Sequence, residues 1–295
     1  MPLGVHFVGS VLLRRSEEHI EAPSGRRLYC RTWAPASVDG AAILIVHGFG
    51  EHSGRYEAMA RWLAERGRRV HAYDQMGHGL SSGARGHVTQ FEDYLDDLEF
   101  MLGRVSASPN DPLPVLVGHS LGGLIAATLA CERAPAISRL VLSGPALALG
   151  GDVSRGRVAA ARLLRRFVPR FSMEAGLDPD ALSRDPEVVR GYREDPWVHG
   201  RMSASLAVGM MERQATTSTS AGEVLVPTLL MHGESDALCP VDRSRIFFEG
   251  LSEGVASRSE IRTYPGLRHE IFNEPEREEI FQHLFRWLKE TETSQ

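Results

Sequence analysis

The stretch PVLVGHSLGGLIAATLA, residues 114–130, decides the fold. Residues 114–117 form an uninterrupted apolar run, the pattern of a strand buried on both faces. From Leu121 the chain turns alanine- and leucine-rich, which reads as a helix. Between them Gly118-His119-Ser120-Leu121-Gly122 leaves no length for a loop, so strand must pass into helix at once. Two uses of such a turn compete. The glycines relieve crowding in an ordinary tight turn, or they permit a strained turn that presents Ser120 as a nucleophile.

The same alternation continues outward. Residues 26–33, 41–48, 68–74, 138–145, 226–236 and 258–266 read as strands. Arg55 to Glu65, Phe91 to Val105, Leu121 to Glu132, Asp242 to Gly250 and Glu274 to Lys289 read as helices. Apolar strands alternating with amphipathic helices predict a mostly parallel sheet covered on both faces. The rhythm breaks over residues 147–222, which are rich in arginine, proline and short helical pieces and show no convincing strand. We therefore expect an α/β core from residues 1–146 and 223–295, with a helical cap at 147–222 inserted after the sixth or seventh strand.

Composition narrows the functional classes. The chain of 295 residues is 42% hydrophobic, but has no apolar run long enough to span a bilayer. A formal net charge of −5 argues against general affinity for nucleic acid. Cys30, Cys131 and Cys239 lie far apart without CxxC spacing, so free thiols in a reducing compartment are expected, not a zinc site or disulfide framework. The opening MPLGVHFVGSVLLRR lacks a positive segment before its apolar part and a clear cleavage site, which argues against a signal peptide. The expected location is cytoplasmic, with room for peripheral contact at a membrane.

G-x-S-x-G between a strand and a helix is the nucleophile elbow of α/β hydrolases, whose triad runs Ser, acid, His along the chain. Of twelve histidines, only His269 and His283 lie beyond the 226–236 strand. His283 sits in the helical pattern FQHLFRWL; His269 lies in the loop after the last strand and is taken as the base. LLMHGESD offers Glu234 and Asp236 as the acid, with Asp242 a weaker third; Asp236 follows the strand-ending glycine and is best placed. One oxyanion donor is the Leu121 amide, after the nucleophile; the other is expected from the HGFG turn at 47–50, as the Phe49 amide. His47 is expected to hold that loop by hydrogen bonds. His71, His78, His87 and His119 are scattered along the chain, which argues against a metal-ligand cluster, and no phosphate-binding glycine motif occurs. No metal or organic cofactor is called for. DQMGHGLSSG (74–83) reads as a structural loop beside the site.

With those residues placed, the chain resembles the monoacylglycerol lipase and lysophospholipase branch of the α/β-hydrolase superfamily. The resemblance rests on HGFGEHSGRY (47–56), DQMGHGLSSG, GHSLGG, LSRDPEVVRGY (182–192), MHGESDALC and GLRHEIFNE (266–274). It implies a serine hydrolase that cleaves monoacylglycerols to fatty acid and glycerol through an acyl-enzyme. The alternative is a lysophospholipase or broad carboxylesterase with the same triad. A non-catalytic binding protein on the same fold would have lost triad members, and here all are present. The resemblance implies that Glu51 and Arg55 line or support a polar pocket for the alcohol head, with the cap residue Tyr192 near it; a loop-stabilising salt bridge is the competing use of Glu51 and Arg55. It also implies a cysteine near the site at Cys239, and a smaller residue where Phe49 stands. Within the cap, VAAARLLRRFVPRF (158–171) mixes apolar residues with Arg162, Arg165, Arg166 and Arg170. Its apolar face can roof the acyl site or rest on a lipid surface.

Overall fold

The computed structural model describes residues 5–8, 11–106, 111–150 and 155–292. The strands are β1 (Val5–Val8), β2 (Val11–Glu21), β3 (Arg27–Pro35), β4 (Ile43–Val46), β5 (Val70–Tyr73), β6 (Val115–His119), β7 (Arg139–Ser143), β8 (Ser172–Glu174), β9 (Arg201–Ser203), β10 (Thr228–Gly233) and β11 (Glu260–Tyr264). Among the described residues, nine of them form one sheet in the order β1-β2-β3-β5-β4-β6-β7-β10-β11, while β8 and β9 pair separately. β1, β2, β3 and β5 join antiparallel. From β5 to β11 every pairing is parallel, and β6 lies between β4 and β7.

Parallel strands need crossovers, and these supply the covering helices. The helices are α1 (Glu57–Ala64), α2 (Glu92–Val105), α3 (Leu121–Arg133), α4 (Arg155–Phe167), α5 (Pro186–Glu194), α6 (Ala204–Thr217), α7 (Val241–Glu249), α8 (Glu253–Ala256) and α9 (Arg277–Glu292). Side chains alternate across the sheet. Leu44, Val46, Leu116, Leu140 and Leu142 pack in one core with α2 and α3. Ile43, Ile45, Val115, Val117 and Val141 pack on the other face with α1 and α9. Each such side chain contributes about 1.5–3 kcal/mol relative to exposure. α3 is buried on all sides from Leu121 to Ala130, which fixes the helix that leaves the serine turn.

After β7 the chain leaves the sheet, runs through α4, β8, α5, β9 and α6, and returns at β10. Backbone contacts seat this excursion. The His199 N–H donates to Gly50 O (2.9 Å) and the Ser203 N–H to Gly86 O (2.9 Å). A Cβ on Gly86 would stand 1.6 Å from Arg201 O, so only glycine admits the approach. The expectation of no strand in this region is corrected by β8 and β9. Three residues each are too few to show an alternating pattern. β2 is a second departure: after Val11-Leu12-Leu13 it is mostly charged, so residues 14–21 carry no apolar run, although the strand pairs with β3 over nine residues.

The tightest packing surrounds the serine turn, and it sets a test. A Cβ on Gly122 would stand 2.1 Å from Val46 O and 2.4 Å from His47 O, both backbone atoms. Gly103, exposed in α2, has nothing within 4 Å of its Cβ position. Gly122→Ala is expected to lose about 3 kcal/mol or more in urea unfolding. Gly103→Ala should gain up to about 1 kcal/mol.

Candidate active site

Ser120 occupies φ 53°, ψ −117°, a region non-glycine residues avoid. The turn survives because its neighbours have no side chains to accommodate. A Cβ on Gly118 would stand 2.5 Å from Gly122 O, and one on Gly123 2.9 Å from Pro145. The Ser120 carbonyl accepts from the Leu124 and Ala146 amides, and its N–H donates to Ser143 O at 3.1 Å. The serine therefore stands at the C-terminal end of the central strand with its backbone bonded on both sides. Leu121 opens α3, so its amide is one of the first-turn N–H groups without a partner inside the helix.

The loops after β4, β10 and β11 converge on this point, as expected at the carboxyl ends of parallel strands. The His269 Nδ1–H donates to Asp236 Oδ2 at 2.7 Å. Asp236 Oδ1 accepts the Leu238 and Cys239 amides at 2.8 and 2.9 Å. Burial alone would raise the Asp236 pKa, but the adjacent His269, the hydrogen bond from His232 and the Cys239 amide hold it well below the usual carboxylate range. Burial works against the His269 cation, yet Asp236, Glu270 and Glu51 raise it above the ordinary histidine value. Burial pushes the Cys239 thiol up, with the nearby Ser120 hydroxyl working against that, and among the described residues no hydrogen bond joins Ser120 to His269. Such contacts commonly close only with substrate in place. Asp236, Cys239 and His269 each bring a potential metal-ligand atom within 4.8 Å of the others. Both Asp236 oxygens already accept N–H donors, an arrangement that suits an imidazole better than a cation.

The competing candidates lie elsewhere. Glu234 accepts the Thr263 hydroxyl and faces Arg245, and Asp242 is exposed beside Arg245. His283 is buried where α9 meets β11 and pairs with Glu260 at 2.9 Å. His119 donates to Ser143 O, and burial together with the neighbouring His269 pushes its pKa down to about 3. His47 bonds Gly48 O and accepts the Gln75 amide, the loop-holding arrangement read from the sequence.

A cavity of about 150 Å³ opens above Ser120. Leu149, Leu177, Met202, Met210 and Leu238 line its apolar part, and Phe49, Glu51, Tyr192, His269 and Glu270 its polar end. Phe49 rests edge-on against His78 and His199, which ties its turn to the segment before β9. Glu51 accepts the Gly48 amide (2.6 Å), the Tyr56 hydroxyl (2.7 Å) and Arg55 Nε (2.9 Å). Arg55 stands behind this polar end. It does not line the cavity, because its guanidinium bonds both Glu51 and Glu270 and stacks 4.8 Å from the Tyr192 ring.

Two residues at the site were not singled out in the sequence. Glu270 directly follows His269, and only its neighbour's role drew notice. His232 lies inside β10, where nothing but an alternation count would flag an inward-pointing histidine.

Residues 39–276 match the serine aminopeptidase S33 family of hydrolases. The chain is 35% identical over 277 residues to a monoacylglycerol lipase of Mycolicibacterium smegmatis, covering 93% of this chain and 97% of that one. It is 32% identical over 245 residues to a phospholipase of Bacillus subtilis, covering 82% and 92%. The crystal structure of a Paleococcus ferrophilus monoacylglycerol lipase superposes with a TM-score of 0.80 at 34% identity, over 90% of this chain and 99% of that one.

Glu51, 3% exposed, ties three donors to the turn that carries Phe49. Glu51→Ala is expected to cost on the order of 3 kcal/mol in chemical denaturation, since it breaks a buried charged pair.

Proposed function

The chain belongs to the serine aminopeptidase S33 family of α/β hydrolases, and from that premise we propose that it cleaves monoacylglycerols to fatty acid and glycerol through an acyl-enzyme on Ser120. His269 Nε2 takes the hydroxyl proton as Ser120 Oγ attacks the ester carbonyl carbon. The Phe49 and Leu121 amides hold the oxyanion. Collapse of the tetrahedral intermediate breaks the bond to the alcohol, which leaves with the proton from His269. Water, deprotonated by the same imidazole, then releases the acid. Asp236 keeps the proton on Nδ1, so that Nε2 is free to accept.

The observation that carries the substrate class is the charge of the polar end. Among the described residues Glu51 and Glu270 line it and no lysine or arginine does, while Arg55 stands behind both carboxylates. Carboxylates accept hydrogen bonds from a polyol and repel a phosphate. The lysophospholipase alternative has a phospholipase among the relatives in its favour, but it would need a cation at this end.

Residues 147–222 serve in this reading as the cap over the acyl side. Leu163, Phe167 and Met173 are 61%, 70% and 62% exposed, close in sequence to Arg162, Arg166 and Arg170. Exposed apolar side chains with interspersed arginines suit an anionic lipid surface, where such substrates partition. Among the described residues no helix is long and apolar enough to cross a membrane. Phe167→Asp should weaken co-sedimentation with phosphatidylglycerol vesicles while leaving hydrolysis of a water-soluble ester intact; unchanged co-sedimentation would remove the membrane role.

Ser120→Ala should lower ester turnover roughly 10⁴-fold or more. Since His269 must be neutral to accept the proton and its pKa is raised, kcat/KM should climb with pH through a midpoint above about 6.5. With one acyl chain throughout, monoacylglycerol should be turned over faster than lysophosphatidic acid or lysophosphatidylglycerol. The reverse order would exclude the proposed head-group class.

A further inference from the structure

His232 is fully buried in β10, outside the cavity, and takes no part in the steps above. Its Nε2 lies 3.0 Å from Asp236 Oδ2 and 2.9 Å from Cys239 O, and its Nδ1 lies 2.8 Å from Ser244 Oγ. Both neighbours of Nε2 are acceptors only, since Asp236 is held ionised and a carbonyl cannot donate. Nε2 must therefore carry a proton. The Ser244 hydroxyl can donate to Nδ1, which completes a neutral ring with every polar atom satisfied.

We propose that His232 is a positioning residue for the catalytic acid, sharing the Asp236 Oδ2 atom with His269 and thereby setting how strongly that carboxylate supports the working imidazole. Oδ2 accepts from both rings, His269 at 2.7 Å and His232 at 3.0 Å, while Oδ1 accepts two backbone amides. The four donors leave the carboxylate a single orientation, and that orientation aims Oδ2 at His269 Nδ1. A hydrogen bond from His232 also draws negative charge away from the His269 contact. Without that bond, Asp236 would stabilise the His269 cation more strongly, and the carboxylate would be freer to rotate. The other titratable groups facing this pair are His119, whose ring lies 4.7 Å from that of His269, together with Cys239, Glu270 and Glu51. Ser244 on α7 is the neutral partner behind His232. A change at His232 also removes a partner from the Cys239 carbonyl and the Ser244 hydroxyl, but both are uncharged, so a displaced acid limb belongs to the shared oxygen.

The inference rests on the triad reading, and the test separates the two. His232→Leu removes the donor; His232→Gln keeps an N–H at the position of Nε2. In His232→Leu the acid limb of kcat/KM should move to higher pH, and kcat should fall on the order of 10- to 100-fold as the carboxylate loses its orientation. His232→Gln should restore the wild-type limb and most of kcat. A folded His232→Leu with an unmoved limb would overturn the proposal, as would a limb displaced equally in both variants. If His232→Leu does not fold, nitrogen-15 NMR of the histidines in the wild-type enzyme decides. A neutral His232 protonated on Nε2, whose Nε2–H resonance moves in Asp236→Asn, supports the proposal; protonation on Nδ1 or an unmoved resonance overturns it. Turnover surviving in Ser120→Ala would instead sink the triad reading, whatever His232 does.

Discussion

The Ser120 backbone, held at φ 53° and ψ −117°, is the constraint on which the rest of the site depends. A residue in that region stores about 1–3 kcal/mol of strain and persists only where its surroundings leave no alternative. Here β6 is locked between β4 and β7, and α3 is buried along its first ten residues. Gly122 lies so close to the end of β4 that any side chain would strike Val46 O and His47 O. The same closeness brings the 47–50 turn against the serine: a Cβ on Gly48 would stand 3.1 Å from Ser120 Cβ. One packing requirement thus fixes Ser120, the proposed nucleophile, leaves the Leu121 amide without an intrahelical partner and draws in the turn that carries Phe49.

Electrostatics then divides the buried charges into two groups. Around Asp236 four donors converge on one carboxylate, which stays ionised and orients His269 for its proposed role as proton acceptor. At the other end of the cavity Glu51 and Glu270 enclose Arg55, so the guanidinium is spent on the scaffold and the face presented inward is carboxylate. Buried ion pairs of this kind add little net stability, because desolvation offsets their attraction. Their value lies in direction. The first group orients the proposed base, and the second shapes a polar end suited to the proposed uncharged alcohol.

Much of this was legible in the sequence because the informative features are local. Val115 to His119 is buried on both faces, so an unbroken apolar run marked it, and the glycines that follow report a turn without side chains. His269 and Asp236, which the structure brings within 2.7 Å of each other, could be nominated because chain order and strand ends leave few candidates. The use of Arg55 stayed open between lining the pocket and a supporting salt bridge for a physical reason: whether an arginine faces a cavity or a second carboxylate depends on Glu270, more than two hundred residues away. His232 was hidden by its surroundings, since a histidine in a buried strand looks like packing until its ring nitrogens have partners. β8 and β9 were missed because three-residue strands owe their form to each other and to the core loops beneath them, and carry no periodic signal of their own.

The most direct test of the account is covalent labelling with a medium-chain alkyl fluorophosphonate, followed by intact-mass and peptide-mass measurement. The account predicts one adduct per chain, located on Ser120, with ester turnover falling in proportion to the labelled fraction and reaching zero at full labelling. An adduct on any other residue, or turnover that persists in fully labelled protein, would contradict it.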